Sequence, residues 1–344
     1  MARLYIFTNH PTHLLYPMKA KISSLAAASL VAATAAAQIP SEYTVAPWHG
    51  FCESAITYSL DDLTPNQLPV AVPLFDKYGV KISLNVVSSW VKQDEWPQLK
   101  AVVKNGHEVT SHTLTHKNMG ELSVEEFTKE CSESKRVIKQ YTGSESITLV
   151  YPYCVSAHKE IVSKLFISAR GCSGQIEPHT PSDMFDISSK VAGTESSDLR
   201  NGDDFNRWVD EGVAKKGWCT FLIHAIDDDG GYSPIKSSEL EKHLAYVTKN
   251  PGKFWVAPFV EISKYIMERD ALTIREVKKG NKITVIVGCN AKSPITTLDV
   301  PVTISRQLPQ GCTKATSNAQ NTVVSGGKVM FDVVPGKTYK LICK

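Results

Sequence analysis

The sequence predicts an α/β chain of parallel βα units followed by a small all-β, sandwich-like region, and three observations carry this. Between Ala55 and about Ala271, short β-rich runs alternate with amphipathic stretches about seven times, the rhythm of parallel strands joined by crossover helices. After residue 271, strand-like runs follow one another with Gly, Asn and Pro turns and no helical period. The 344 residues, 42% hydrophobic and 21% charged, suffice for a large core and a second domain. By itself the alternation fits either a barrel or an open doubly wound sheet.

In chain order, residues 1–37 read as a leader. Lys19 and Lys21 precede an apolar stretch from Ile22 to about Ala33, and small residues lead to Ala35-Ala36-Ala37 before Gln38, the layout of a secretory signal peptide. The stretch is too short and Ala-rich to span a bilayer, which takes about 20 residues; Met18 is an alternative start. The expectation is a secreted protein with no membrane association after cleavage.

A region from 38 to 270 follows. Its strand candidates are "AITYS", "KISLNVV", "HEVTS", "ITLVY", "FISAR", "TFLIH" and "FWVAP", each β-branched or aromatic and five to seven residues long. The helical stretches between them include "WPQLKAVVKNG" and "VEEFTKECSESKRVIKQY", and several end in Gly or Asn near a basic residue, as helix C-termini do. In residues 271–344, "KKGNK", "SGGK" and "VPGK" are turn signals of a small β-domain, with only Phe331 and Tyr339 as aromatics.

A net charge of +3, without a basic run interleaved with aromatics, argues against nucleic-acid binding. The eight cysteines lack zinc-type spacing, and an even count in a secreted chain favours disulfides. Five precede residue 270, so pairing of all eight requires a bridge across that boundary; free thiols are the rival reading.

Four signals fall at predicted strand C-termini, the edge that collects catalytic groups in βα barrels. His112 and His116 in "SHTLTH" are four apart, a spacing that on a helical turn lets both imidazoles grip one ion. Asp61 and Asp62 end "YSLDD" and can supply a carboxylate ligand and a base, or form a solvated turn or helix N-cap. His224 closes "CTFLIH" as a candidate acid or a satisfied core histidine. Tyr153 in "VYPYC" follows a strand, offering a backbone N–H to an oxyanion or simply a proline-braced turn.

Taken together and in order, "YSLDD", "GHEVTSHTLTH", "YPY" and "FLIH" resemble the motifs of the NodB-type polysaccharide deacetylases, over about residues 48–268. The resemblance implies a distorted (β/α)7-type barrel with a divalent metal, most often Zn2+, at the strand C-termini. It implies Asp62, His112 and His116 as metal ligands, Asp61 as general base, the Tyr153 amide as oxyanion donor and His224 as general acid. The implied partner is an acetylated polysaccharide or oligosaccharide, with N-acetyl groups of chitin-type glycans first and acetylxylan close behind. A retired scaffold that only binds glycan, and hydrolysis of a small cyclic amide, are the alternatives of other classes.

The chain departs from the family pattern. The Arg that many members carry three residues before the motif Tyr is Val150 here, and Cys154 stands where some relatives have Gly. Arg170, ending "FISAR", either supplies the missing guanidinium beside Asp61 or caps a strand at the surface. His107 and Glu108 read as structural, and Asp227, Asp228 and Asp229 as a solvated loop or a calcium loop without full ligand spacing. Trp48, Trp90, Trp96 and Trp255 read as sugar-stacking or core residues.

Overall fold

The computed structural model describes residues 39–344 except Lys292, Pro294 and Thr297, so the predicted leader lies outside the described residues. The first region is built from β2 (Ser54–Asp61), α1 (Val72–Lys77), β3 (Ser83–Val86), α2 (Trp96–Lys104), β4 (Glu108–Ser111), α3 (Val124–Thr142), β5 (Thr148–Val150), α4 (Lys159–Leu165), β6 (Ser168–Arg170), β7 (Lys190–Val191), α5 (Gly202–Lys215), β8 (Trp218–Ile223), α6 (Ser237–Thr248), β9 (Phe254–Val256) and α7 (Phe259–Asp270). A short strand β1 (Tyr43–Val45) precedes them.

All strand pairs of this region are parallel, and the sheet runs β6-β5-β4-β3-β2-β8-β7. It curls, and a parallel bridge between Arg170 and Ile187 ties the segment entering β7 back to β6, completing a seven-strand circuit. This is the distorted (β/α)7 barrel, and it decides between the two architectures that alternation alone left open. Every residue of β2 is buried, as a parallel strand covered on both faces requires. The long helix α3 carries a full capping box, with the Ser123 hydroxyl on the Glu126 amide and the Glu126 carboxylate on the Ser123 amide, and ends at Gly143 with φ 80°.

All seven expected strands form, but they are not the seven staves. β9, from "FWVAP", pairs the N-terminal half of β2, while β3 pairs its C-terminal half. The missing stave is β7, two residues long and too short to leave a periodic signal.

Beyond α7 the chain forms β10 (Leu272–Lys279), β11 (Lys282–Cys289), β12 (Val302–Gln307), β13 (Ala315–Ser317), β14 (Val323–Ser325), β15 (Lys328–Val333) and β16 (Thr338–Cys343). They make two antiparallel four-stranded sheets, β1-β12-β15-β14 and β10-β11-β16-β13. Hydrophobic residues of the two sheets share one buried cluster that includes Val285, Val302, Ile304, Phe331 and Leu341. Trp48, Trp255, Phe259 and Tyr265 belong to the same cluster, so the sandwich and the base of the barrel are packed as one body. Arg269 of α7 adds polar ties, donating to the Pro47 and His179 carbonyls at 2.6 Å each.

The structure joins Cys154 to Cys172 and leaves the other six cysteines as thiols. Full pairing with a bridge across residue 270 is not seen in the structure. Cys131 and Cys219, for example, are buried apart in separate apolar clusters. Among the described residues, no helix is long and apolar enough to cross a membrane.

Candidate active site

Strand direction delivers the site. β2, β4, β5, β6 and β8 all point their C-termini at one rim, and each contributes at or just past its end: Asp61 and Asp62, His112 and His116, Tyr153, Arg170, and His224. Asp61, Asp62, His112, His116, Tyr153 and His224 line a cleft of about 490 Å³ together with Tyr151, Cys154, Cys172 and Tyr232.

One geometric expectation is corrected. His112 and His116 do not share a helical turn; residues 112–118 form a loop after β4. The imidazoles meet because Thr113 and His116 adopt left-handed backbone, φ 68° and 60°, and the Thr113 hydroxyl accepts the His116 amide at 3.1 Å. Asp62, Leu63, Tyr153 and Cys154 are also left-handed. Non-glycine residues in that region cost about 1–3 kcal/mol each, so strain is concentrated at this rim.

The ligand atoms converge. Asp62 Oδ1 lies 3.6 Å from Nε2 of both His112 and His116, and the two Nε2 atoms are 3.1 Å apart. His112 donates Nδ1–H to the Val150 carbonyl at 2.9 Å, which leaves its Nε2 lone pair aimed into the cleft. Burial pushes the His112 imidazole down to about 4 and lowers His116 as well, so both rings are neutral donors near pH 7. Burial, then the neighbouring Asp61 charge, raises Asp62 to about 6, and its Oδ1 has no hydrogen-bond partner. One carboxylate and two neutral imidazoles with an orphaned buried oxygen between them are a donor set for a divalent cation.

Asp61 is held differently. Its carboxylate is buried, and Oδ1 accepts from Asn85 Nδ2 at 2.7 Å while Oδ2 accepts from Arg170 Nη2 at 2.5 Å. Burial works to raise its pKa, but the Arg170 charge, aided by His112, His224 and the Asn85 amide, wins and holds it below the usual carboxylate value. Arg170 is therefore not a surface cap: it is 1% exposed and reaches the position left by Val150 from the next strand over.

His224 faces this pair from the opposite wall, with Nε2 3.9 Å from Asp62 Oδ2 and its ring edge-on to Tyr232 at 5.0 Å. Its Nδ1 has no partner. Asp62 Oδ1, Gln67 Oε1, Asn85 Oδ1, Arg170 Nε and His224 Nδ1 are all buried, unpaired and in or directly beneath the cleft. Buried polar atoms are seldom left so in a native fold, and five of the eight such side-chain atoms among the described residues are grouped at this rim.

Several supporting residues escaped the sequence reading. Asn85, a polar residue inside the buried strand "SLNV", orients Asp61 and was detectable as the break in an apolar run. Gln67 donates to the carbonyls of Asp61 and His224, at 2.6 and 2.9 Å, tying the two walls together. Asp229 binds the Thr64 hydroxyl and the amides of Asn66 and Gly231, bracing the loop after Asp62 against the loop after His224. Neither long-range tie leaves a local pattern. His107 and Glu108 are structural as expected: His107 meets Asp76, and Glu108 accepts from Ser83, Thr148 and the Val260 amide. Trp48, Trp96 and Trp255 are buried, whereas Trp90 is half exposed and its ring sits 5.1 Å from that of His116.

Fold and site together define a parallel α/β barrel with a two-histidine, one-carboxylate cluster at the strand C-termini, flanked by Asp61 and His224. Residues 50–164 match the family model "Polysaccharide deacetylase". That stretch, which holds Asp61, Asp62, His112, His116 and Tyr153, is therefore similar to a polysaccharide deacetylase domain. Among solved structures, the chain is similar in fold to a protein from Mycobacterium smegmatis assigned as a polysaccharide deacetylase (11% identity, TM-score 0.52, 65% of this chain and 93% of that one). It is likewise similar to a Pseudomonas aeruginosa protein with the same assignment (13% identity, TM-score 0.52, covering 64% and 93%). Puue allantoinase is as similar in fold, at 13% identity and a TM-score of 0.52 over 64% and 93%. A curated relative, a gellan lyase from a Bacillus species, is 25% identical over 281 residues, 76% of this chain. The chain spans only 11% of that relative's length.

Proposed function

We propose that the chain hydrolyses acetyl groups on a carbohydrate, N-acetyl groups of a chitin-type glycan first. The observation that carries this is the division of labour in the aspartate pair. Asp61 is clamped and kept ionised by Arg170, while Asp62 is left open toward two neutral imidazoles. Asp62, His112 and His116 would hold a divalent metal, zinc by preference for this donor set, which when bound makes water nucleophilic near neutral pH and favours negative charge on an acyl oxygen.

The remaining chemistry belongs to the chain. Asp61 accepts a proton from the attacking water, and its two hydrogen bonds fix the angle at which its lone pairs enter the cleft. The Tyr153 amide donates to the oxygen on which charge develops. His224, on the far wall, delivers a proton to the departing nitrogen or oxygen so that a poor leaving group can leave.

A saccharide substrate is supported by the rim. Trp90, Tyr153 and Tyr232 are 51%, 64% and 55% exposed, and each ring lies against His116 or His224. Exposed aromatics around a polar cleft are stacking surfaces for sugar faces. We also propose secretion, supported by the leader read in residues 18–37.

The test is acetate release from chitooligosaccharides, acetylxylan and acetylated peptidoglycan, with and without chelator, beside Asp61→Asn. Release from the chitin series, abolished by chelator and restored by Zn2+, is expected. Preference for acetylxylan moves the substrate to an ester on the same site. A cyclic-amide ring-opening assay belongs in the panel because of the allantoinase fold likeness. Ring opening without acetate release, or glycan binding with no hydrolysis, overturns the proposal.

A further inference from the structure

We propose that a Cys154–Cys172 disulfide is a positioning device for the active site, clamping the loop that presents Tyr153 to the strand end that presents Arg170. The inference rests on the deacetylase reading for its effect on rate, but the clamp itself is separately measurable.

The two cysteines sit where the sheet stops holding these segments together. β5 and β6 pair as far as Val150 with Arg170, and the last rung is the Tyr151 amide on the Arg170 carbonyl at 3.1 Å. Beyond it the chains separate, one to Tyr153 and Cys154, the other to Gly171 and Cys172. The sulfurs rejoin them one step above the sheet, with the Cα atoms 5.4 Å apart, inside the range a disulfide spans. Both cysteines line the cleft with Asp61, Asp62 and the three histidines.

The two sides of the bridge are unequally supported without it. Arg170 keeps other anchors: Nη1 donates to the Ser189 hydroxyl at 2.7 Å, and the Gly171 amide donates to the Ile187 carbonyl at 2.9 Å. Gly171 is also boxed in, since a Cβ there would meet Asp186 Oδ1 at 2.5 Å. The Tyr153 loop has weaker ties. Its amide bonds, Cys154 to the Tyr151 carbonyl at 3.3 Å and Val155 to the Pro152 carbonyl at 3.1 Å, lie within the loop itself. The Ser156 hydroxyl bond to Asp186 is exposed.

Backbone conformation points the same way. Tyr153 and Cys154 have φ 56° and 60°, a region that costs an L-residue roughly 1–2 kcal/mol and glycine almost nothing. A side chain at position 154 is therefore retained against its backbone preference, and the bond to Cys172 is what that side chain makes. Holding two strained residues in register is what a donor aimed at a developing charge requires, since misplacement by about 1 Å can cost a hundredfold.

The experiment uses the full chain. Thiols are first counted by mass tagging in denaturant: six without reductant and eight after it are expected. Phosphine reduction puts two electrons into the S–S bond, with water supplying the two protons and the oxygen of the phosphine oxide. Reduction of the folded protein, Cys172→Ser, and the double variant Cys154→Gly with Cys172→Ser should each lower kcat about tenfold to a hundredfold. KM should stay within threefold, and reductant should do nothing further to either variant. Hydrogen exchange of a peptide covering 152–158 should accelerate on reduction, while peptides containing Asn85 and Ser189 keep their protection. Eight thiols before reduction, unchanged exchange at 152–158, or wild-type kcat in the glycine double variant overturns the clamp. Absence of acetate release by the wild type overturns the deacetylase reading instead, and the exchange result then decides the clamp alone.

Discussion

Two arginine–carboxylate pairs with buried guanidiniums, one in each half of the molecule, are built to opposite specifications. In the sandwich, Arg306 grips Glu276 with both arms of its fork, Nε on Oε2 at 2.6 Å and Nη2 on Oε1 at 2.8 Å. The Tyr43 hydroxyl adds a third bond to the same carboxylate at 2.5 Å, and Nη1 is taken up by the Gln307 carbonyl. At the barrel rim, Arg170 reaches Asp61 through one nitrogen, sends another to Ser189, and leaves Nε unpaired. Both guanidiniums are 1% exposed, so burial does not separate them. The sandwich pair is closed and links β1, β10 and β12. The rim pair is open, satisfying its carboxylate from below while keeping it at the edge of a cleft. A closed pair fixes geometry; an open one fixes geometry and leaves chemistry to be done.

Substitutions should split along that line. The largest effect is expected from Asp61→Asn, which keeps the shape and removes the base: acetate release should fall about 10³-fold or more with the circular dichroism spectrum unchanged. A loss under tenfold breaks the assignment of the base.

Arg306→Met should leave the rate within twofold but cost about 3 kcal/mol in urea unfolding, the low end for a broken buried pair because Glu276 keeps Tyr43 and Lys278. If activity falls instead and stability holds, the closed pair is not merely structural.

Arg170→Ala comes third, with kcat down about a hundredfold as Asp61 loses its orientation and its counter-charge. Intact acetate release in this variant would show that Arg170 does not replace the guanidinium missing at Val150.

Acid should reach the two halves in sequence, the smallest effect when read per pH unit. In the barrel, burial pushes His243 down from 6.5 to about 3, with Tyr58 and Asn206 on its two nitrogens. Below pH 6.5 the unfolded chain binds a proton there that the folded one refuses, so stability falls as pH falls toward 3. The difference in unfolding free energy between wild type and His243→Gln should thus shift by up to about 1.4 kcal/mol per pH unit below 6.5. In the sandwich, burial acts to raise Glu276, but the Arg306 and Tyr43 hydrogen bonds outweigh it and hold it at about 2 against 4.5. Its stabilisation is complete above 4.5 and is lost only as pH falls from there toward 2. Equal acid sensitivity of wild type and His243→Gln between pH 6.5 and 4.5 contradicts this order.

Legibility differed between these regions for physical reasons. Strand and helix patterns follow from local burial, so "AITYS", "HEVTS" and "TFLIH" could be placed on strands, and their polar ends, Asp61 and Asp62, His112, and His224, on one rim. A four-residue spacing fits a helical turn, whereas the loop brings His112 and His116 together through two left-handed residues that periodicity does not encode. Arg170 remained ambiguous because a strand-end arginine looks the same whether it faces solvent or a carboxylate 109 positions earlier. β7 was invisible because two residues carry no period. The sandwich was readable as β-structure from its turns, but not that β1, more than 250 residues before β12, would pair with it.

By itself the sequence determined the alternation, the direction of the strands and hence which residues gather at the barrel mouth. All of these are set by the chain's own period of burial and by the one-way sense of βα units. Only the tertiary structure decided which strand closes the barrel, which arginine holds Asp61 and which cysteines meet. Those are contacts between residues remote in sequence, fixed by the packing of whole elements rather than by any local preference.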